Sequence, residues 1–345
     1  MGGSAAKLEL GKPDATMTAM EKPASLRSFW LTCLVGWLVL SGAGIVLARQ
    51  RGVPDGIAVP VVAAFLAEFV FYLVPGFQAV REAVRGKLSA AALAPLLALS
   101  AIVPYLIYAL PTGQFQIAPF LALACIAIAA SFWFLIFPAS VAADLGFITL
   151  LAAIFLSKVF KKIYLPPYDK VYLDVLGHLM LIRLGTSVML LQRRFQGLGF
   201  GFIPSWRECA VGLRYFLYFL PVGIPLGWAL GIVTFHGRPG PEWQALGIFL
   251  GIFWVVALSE EFVFRGVLLQ WITRLTGKRW TALAIASVIF GLCHLGFRGF
   301  PNWRMAIFAT VAGAFWGEAY RAGRSIRASM VAHALVVTTW MKWLN

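Results

Sequence analysis

Residues 246–272 read LGIFLGIFWVVALSEEFVFRGVLLQWI, an apolar run whose only charged residues are Glu260, Glu261 and Arg265. At about 1.5 Å per helical residue the run outreaches the roughly 30 Å hydrocarbon core of a bilayer. It therefore reads as a transmembrane helix. The rest of the chain agrees: of 345 residues, 61% are hydrophobic and 12% charged, whereas soluble domains carry about 25% charge. The fold class that follows is all-α, a polytopic transmembrane helical bundle of about 8–11 spans. Candidate spans fall at 29–49, 57–77, 89–110, 117–137, 139–157, 172–191, 211–235, 244–272, 281–297, 304–320 and 327–343. Asp144 weakens the fifth and Glu318 the tenth.

The net charge of +15 does not form one basic stripe. It falls in short clusters between apolar runs, the pattern of cytoplasmic loops under the positive-inside rule, and this sets nucleic acid aside as a partner. With the amino terminus cytoplasmic, the clusters at 81–87, 193–207, 274–279 and 321–327 all lie inside, and neutral PTGQFQ at 111–116 lies outside. The cluster at 158–170 then lands outside, against the rule. Either 139–157 does not span or the count shifts by one there. Residues 1–28 read as a cytoplasmic tail, too long and too mixed in charge for a signal-peptide start. MGGSAA lacks the Ser or Thr at position 6 that myristoylation needs. Cys33, Cys125, Cys209 and Cys293 have no CxxC or metal-ligand spacing and read as small apolar residues.

Two breaks interrupt the apolar pattern. KKIYLPPYDKVYLD at 161–174 has paired prolines and interfacial tyrosines; QGLGFGFIPSWRE at 196–208 is rich in glycine. The second suggests a division into an accessory transmembrane region, 29–205, and a catalytic core, 206–345. Short loops and compactness point to the inner (plasma) membrane of a bacterium as the setting.

The last hundred residues carry the chemistry. A carboxylate at membrane depth costs about 2.5–3.5 kcal/mol, so a pair of them calls for a function. Glu261 and Arg265 stand at i,i+4 on one helix face, where the arginine can neutralise the carboxylate. Glu260 is turned about 100° away and stays free. His294, in Phe290-Gly-Leu-Cys-His294, is brought level with it by counting. Glu260 lies 14 residues before Arg274 and His294 lies 13 after Thr281, both roughly 20 Å from one membrane face. Gly313 and Gly317, four apart, allow close helix approach. Gly323 is placed as a helix end, and His333 supplies a second intramembrane histidine on the last helix.

In this order, EExxxR, FxxxH, GxxxG and a final histidine resemble the CPBP family of intramembrane proteases, the CAAX-processing and bacteriocin-processing enzymes also called Abi proteins. The resemblance covers residues 245–342. It implies an endopeptidase that cleaves a membrane-associated protein or peptide at the lipid bilayer. Glu260 would activate water, Glu261 and Arg265 would support it, and His294 and His333 would complete the site. One position departs: many members carry Asn four residues after the last histidine, assigned to oxyanion stabilisation, and this chain has Val337. Asn302 and Thr338 are substitutes by chemistry alone. A metal-free reaction with no cofactor is preferred, because HExxH spacing is absent. The alternative is a zinc site with Glu260, His294 and His333 as ligands. Two other classes remain, an inactive scaffold or immunity-type protein of the same fold and an ion or proton transporter.

Overall fold

The structure is a computed structural model and describes residues 26–169, 171–237 and 240–345. The expected tail therefore lies outside the described residues up to position 25. Every expected apolar segment forms a helix: α1 (Leu26–Gln50), α2 (Asp55–Leu73), α4 (Ala90–Ala109), α5 (Ile117–Ile136), α6 (Val141–Leu156), α8 (Asp174–Gln192), α9 (Trp206–Ala229), α10 (Trp243–Thr276), α11 (Arg279–Leu292), α12 (Trp303–Gly323) and α13 (Ile326–Thr339). Two short helices were not expected, α3 (Gln78–Lys87) and α7 (Phe160–Ile163). Among the described residues there is no strand, and seven helices are long and apolar enough to cross a membrane, namely α1, α2, α4, α5, α8, α9 and α10. α6 and α11 are apolar but shorter.

Local chemistry sets the helix ends. Ser89, Ser140, Ser205, Asn302 and Ser325 each accept a backbone N–H of the turn that follows, satisfying donors the helix leaves orphaned. Ser205 and Glu208 complete a reciprocal capping box at the start of α9. α12 does end at Gly323, but the left-handed cap is the next residue, Arg324, at φ 52°.

The two acidic residues that weakened candidate spans are paired. Arg193 grips Asp144 through two bonds of 2.7 and 3.1 Å, and Arg321 pairs with Glu318. That removes the objection to α6 and α12. A third pair was missed in sequence: Arg183 donates to both oxygens of Glu68 at 2.8 and 3.1 Å and to Ser100 Oγ at 2.8 Å, all deep inside the first bundle. Its partners lie 115 residues apart, so no local pattern betrays it.

Contacts gather the basic clusters onto one face. Arg85 donates to the Leu190 carbonyl, Gln270 to the Gly197 carbonyl at 3.0 Å, and Arg327 to Glu208 at 2.9 Å. Phe29 meets Phe77 edge-on, which puts the start of α1 on that face too. α6 starts there beside Arg193 and ends with Phe155 against His178, at the other end of α8. It therefore runs the depth of the bundle, and Lys158, Lys161 and Lys162 lie exposed on the opposite face. Nothing in the packing explains why these lysines sit there.

Among the described residues, helices that pack along their length do so within α1–α8 or within α9–α13. The Gly-rich segment 195–205 fills the seam between them. Phe202 lies against Tyr72 on one side, the rings tilted, and Phe200 meets Phe262 on the other. Trp254 Nε1 donates to the Phe202 carbonyl at 2.9 Å and Tyr72 Oη to the Trp254 carbonyl at 2.7 Å. At Gly199, φ is +57° and an added Cβ would lie 2.5 Å from Ser325 Cα. Only glycine fits both the conformation and the approach. The segment is a packed wedge rather than a slack linker.

Candidate active site

α10 is not a regular helix where the glutamates sit. Residues Ile252–Ala257 and Phe262–Leu269 form wider π turns, with one α turn, Leu258–Glu261, between them. Such turns change which residues share a face and recur at functional sites. Glu260 lies 17 residues after Trp243 and 16 before Thr276, so it is roughly 25 Å along the helix from either end.

Glu261 is completely buried. Its Oε1 accepts from Arg265 Nη1 at 3.1 Å, the expected i,i+4 bond, and also from His333 Nδ1 at 2.9 Å. Arg265 Nη2 donates to the Gly313 carbonyl at 3.0 Å, and the guanidinium lies 4.4 Å from the Phe290 ring centroid. A cation desolvated against an aromatic face gains about 2 kcal/mol. His333 is sandwiched flat on Trp316, centroids 3.8 Å apart and planes 8° from parallel. Glu261 is thus not half of a simple pair. It is the hub at which α10, α12 and α13 meet.

Gly313 has a second role beside close packing. A Cβ there would sit 3.2 Å from both Arg265 Nη2 and Phe290 Cδ1, so a side chain would push against the arginine that neutralises Glu261. Its carbonyl, Trp316 and Phe290 were not read as site residues. The signals available were the one-turn spacing of Trp316 from Gly313 on α12 and the place of Phe290 one turn before His294 on α11.

Glu260 differs from its neighbour in exposure and in lacking a close charged partner, although Oε2 of both is buried without a hydrogen bond. Its side chain is 28% exposed, where that of Glu261 is 0%. Oε2 points inward without a hydrogen-bond partner, 3.9 Å from His333 Nε2. The final histidine therefore bridges the two glutamates, Nδ1 to the buried one and Nε2 towards the open one.

His294 is not on a helix, as its apolar surroundings suggested. α11 stops at Leu292, and His294 enters a turn in which its N–H donates to the Gly291 carbonyl at 2.9 Å. Arg298 and Gly299, both at positive φ, continue the irregular backbone until Asn302 caps α12. The 14 residues of α11 span about 21 Å, less than the hydrocarbon core. Irregular backbone at that depth must be buried or must line a hydrated cavity. The level with Glu260 holds: Phe264, one turn beyond Glu260, meets Phe290, one turn before His294, at 5.0 Å.

The hydrogen bonds set the tautomers. His294 Nδ1 faces the Phe290 carbonyl at 2.9 Å and His333 Nδ1 faces a carboxylate. Neither partner can donate, so each Nδ1 carries the proton, and in each neutral ring Nε2 presents a lone pair. Of the two substitutes for the missing asparagine, Asn302 is already committed: it accepts from Met305 N–H and donates to the Phe297 carbonyl. Thr338 is buried with its hydroxyl unpartnered. Trp316 Nε1 is likewise a buried donor without a partner. Among the described residues, no three His, Cys, Asp or Glu side chains are grouped to hold a metal ion.

Comparison with known proteins adds one match. Residues 242–339 match the family described as Type II CAAX prenyl endopeptidase Rce1-like. No curated protein and no solved structure matches the chain.

Proposed function

We propose that the protein is an intramembrane endopeptidase in which Glu260 activates the attacking water, since residues 242–339 match the Type II CAAX prenyl endopeptidase Rce1-like family and lie in a bundle with seven helices long and apolar enough to cross a membrane. The observation that carries this reading is the asymmetry of the glutamates. Glu261 is fully buried with its charge and its Oε1 taken by Arg265 and His333, only its Oε2 being left without a partner, whereas Glu260 is partly open, makes no hydrogen bond among the described residues and faces a histidine lone pair.

Peptide hydrolysis needs a base for water, a donor for the oxyanion and an acid for the leaving amine. Glu260 takes a proton from water as the new C–O bond forms and the carbonyl pair moves onto oxygen. The C–N bond then breaks and Glu260 returns that proton to the amine. The Nε2 lone pair of His333 accepts the second hydrogen of the water and orients it, and Glu261 and Trp316 hold the ring. His294, level with Glu260, serves the same purpose from the other side. The reaction uses no metal in this reading. Metal analysis of pure protein with chelator sensitivity tests that point, and stoichiometric zinc required for cleavage would overturn it.

The oxyanion donor that Val337 cannot supply is assigned to Thr338. The isosteric Thr338→Val change tests this. A drop in kcat of about 10²–10³ supports the assignment. Unchanged kcat with equal or greater stability, as expected when a buried orphan hydroxyl is removed, rejects it.

The substrate class is a membrane-associated protein or peptide. The basic face is assigned to the cytoplasm by the positive-inside rule, in the inner membrane of a bacterium, with residues 206–345 as the catalytic unit. The test is a comparison of new protein termini in membrane fractions from cells carrying wild-type or Glu260→Ala protein. Termini present only with the wild type identify substrates. If the variant folds and the cellular role persists with no terminus lost, an inactive scaffold of this fold is the better reading.

A further inference from the structure

The basic face holds a cavity of about 280 Å³ between α3 and the seam segment. Its walls include Gln78, Arg81, Arg85, Gly197, Leu198 and Gly199. α3 is short and polar and lies outside the spanning helices, so this cavity opens where lipid headgroups end.

Three features suit it to an anion. First, Arg85 donates through Nη2 to the Leu190 carbonyl, but its Nε is closed off from solvent with no acceptor. An orphaned cationic donor is costly, and an anion would satisfy it. Burial holds the Arg85 guanidinium below its ordinary pKa; the adjacent Arg194 charge adds to this and Glu82 opposes it. Second, Gly197 and Gly199 take positive φ, +79° and +57°. Successive amides in such conformations form concave anion sites. Third, the polar groups of this segment are divided. The carbonyls of Gly197, Leu198 and Gly199 accept from Gln270 and Tyr320, from the Ile326 amide, and from Ser325. The N–H groups of residues 196–200 have no partner among the described residues. Against these stands Glu82, also in the wall and held by Gln78 at 2.8 Å. With Arg81, Arg85 and Arg194 set against it, the balance remains cationic.

We propose that this cavity is a binding site for a phosphate-bearing anion, gripped by Arg85 and Arg81 and by the free amides of 196–200. Its occupant joins the accessory bundle to the helices of the catalytic core. The carbonyls of the same segment hold Gln270, on the helix of Glu260, and Ser325 and Ile326, at the start of the helix of His333. The phosphate comes either from an anionic lipid headgroup or from solution, and basic pockets at this depth suit both.

The full-length protein is placed in nanodiscs of phosphatidylcholine, of phosphatidylcholine with phosphatidic acid, or of phosphatidylcholine with inorganic phosphate in the buffer. The thermal unfolding midpoint is followed, and native mass spectrometry counts retained lipids. The expected result is a raised midpoint with one phosphate source, the responding arm identifying it. Arg85→Gln weakens apparent affinity about tenfold, the loss of one charge-assisted bond. Glu82→Gln removes the one opposing carboxylate of the wall and strengthens affinity, an opposite sign that general destabilisation cannot mimic. Equal shifts in wild type and Arg85→Gln, no shift with either source, or weaker binding in Glu82→Gln would overturn the proposal.

Discussion

Glu260→Gln leaves a folded, membrane-inserted protein whose peptide cleavage falls by at least about 10²–10⁴, the contribution of a positioned general base. The fold should survive because the side chain is partly open and the inward oxygen has no partner to lose. The glutamine amide can also donate to the His333 Nε2 lone pair. The unfolding midpoint should therefore stay at the wild-type value or rise slightly, since substitutions away from tight networks stay within about 0.5 kcal/mol. Cleavage is read by mass spectrometry on a peptide library presented to detergent-solubilised protein, and stability by tryptophan fluorescence. Wild-type turnover in Glu260→Gln would end the case for Glu260 as the base. A variant that unfolds would show instead that the open glutamate is structural.

How far the sequence reaches is clear from individual residues. Helix positions were readable because apolar runs in lipid have almost no alternative to helix, every backbone group needing an internal partner. The Glu261–Arg265 bond was readable because i,i+4 neighbours on a helix must meet. The His333–Glu261 bond, 72 residues apart, was not, since it depends on how α13 packs against π turns that no residue pattern announced. His294 was placed at the right level but on the wrong backbone: apolar neighbours suggested a continuing helix, and the glycines and Pro301 downstream were the overlooked signals. Glu68 and Arg183 were missed by treating each apolar run alone. An unmatched charge in one span asks for its opposite in another. Val337 remained informative throughout, because it turned attention to Thr338, whose hydroxyl is buried without a partner.

The largest stability effect is expected at Arg265. Arg265→Met alone leaves Glu261 fully buried with His333 as its remaining partner and strips the donor from the Gly313 carbonyl. Breaking one side of a buried pair costs about 3–5 kcal/mol, and Glu261→Met alone should cost a similar amount by stranding the guanidinium among Phe290 and Trp316. The double change Glu261→Met with Arg265→Met should recover most of that loss, because an apolar pair of similar volume can replace a buried ion pair at little cost. Unfolding free energies of the four proteins form a double-mutant cycle, and additive losses would show that the pair is not coupled. Activity should not return with stability. In the double variant His333 Nδ1 has lost the carboxylate that fixes its tautomer, and the Nε2 lone pair no longer faces Glu260 by necessity. A stable but inactive double variant would separate the two duties of Glu261: neutralising Arg265, which methionines can replace, and orienting His333, which they cannot. A stable double variant with wild-type turnover would mean that the histidine needs no such orientation, and that the hub serves only to lock three helices together.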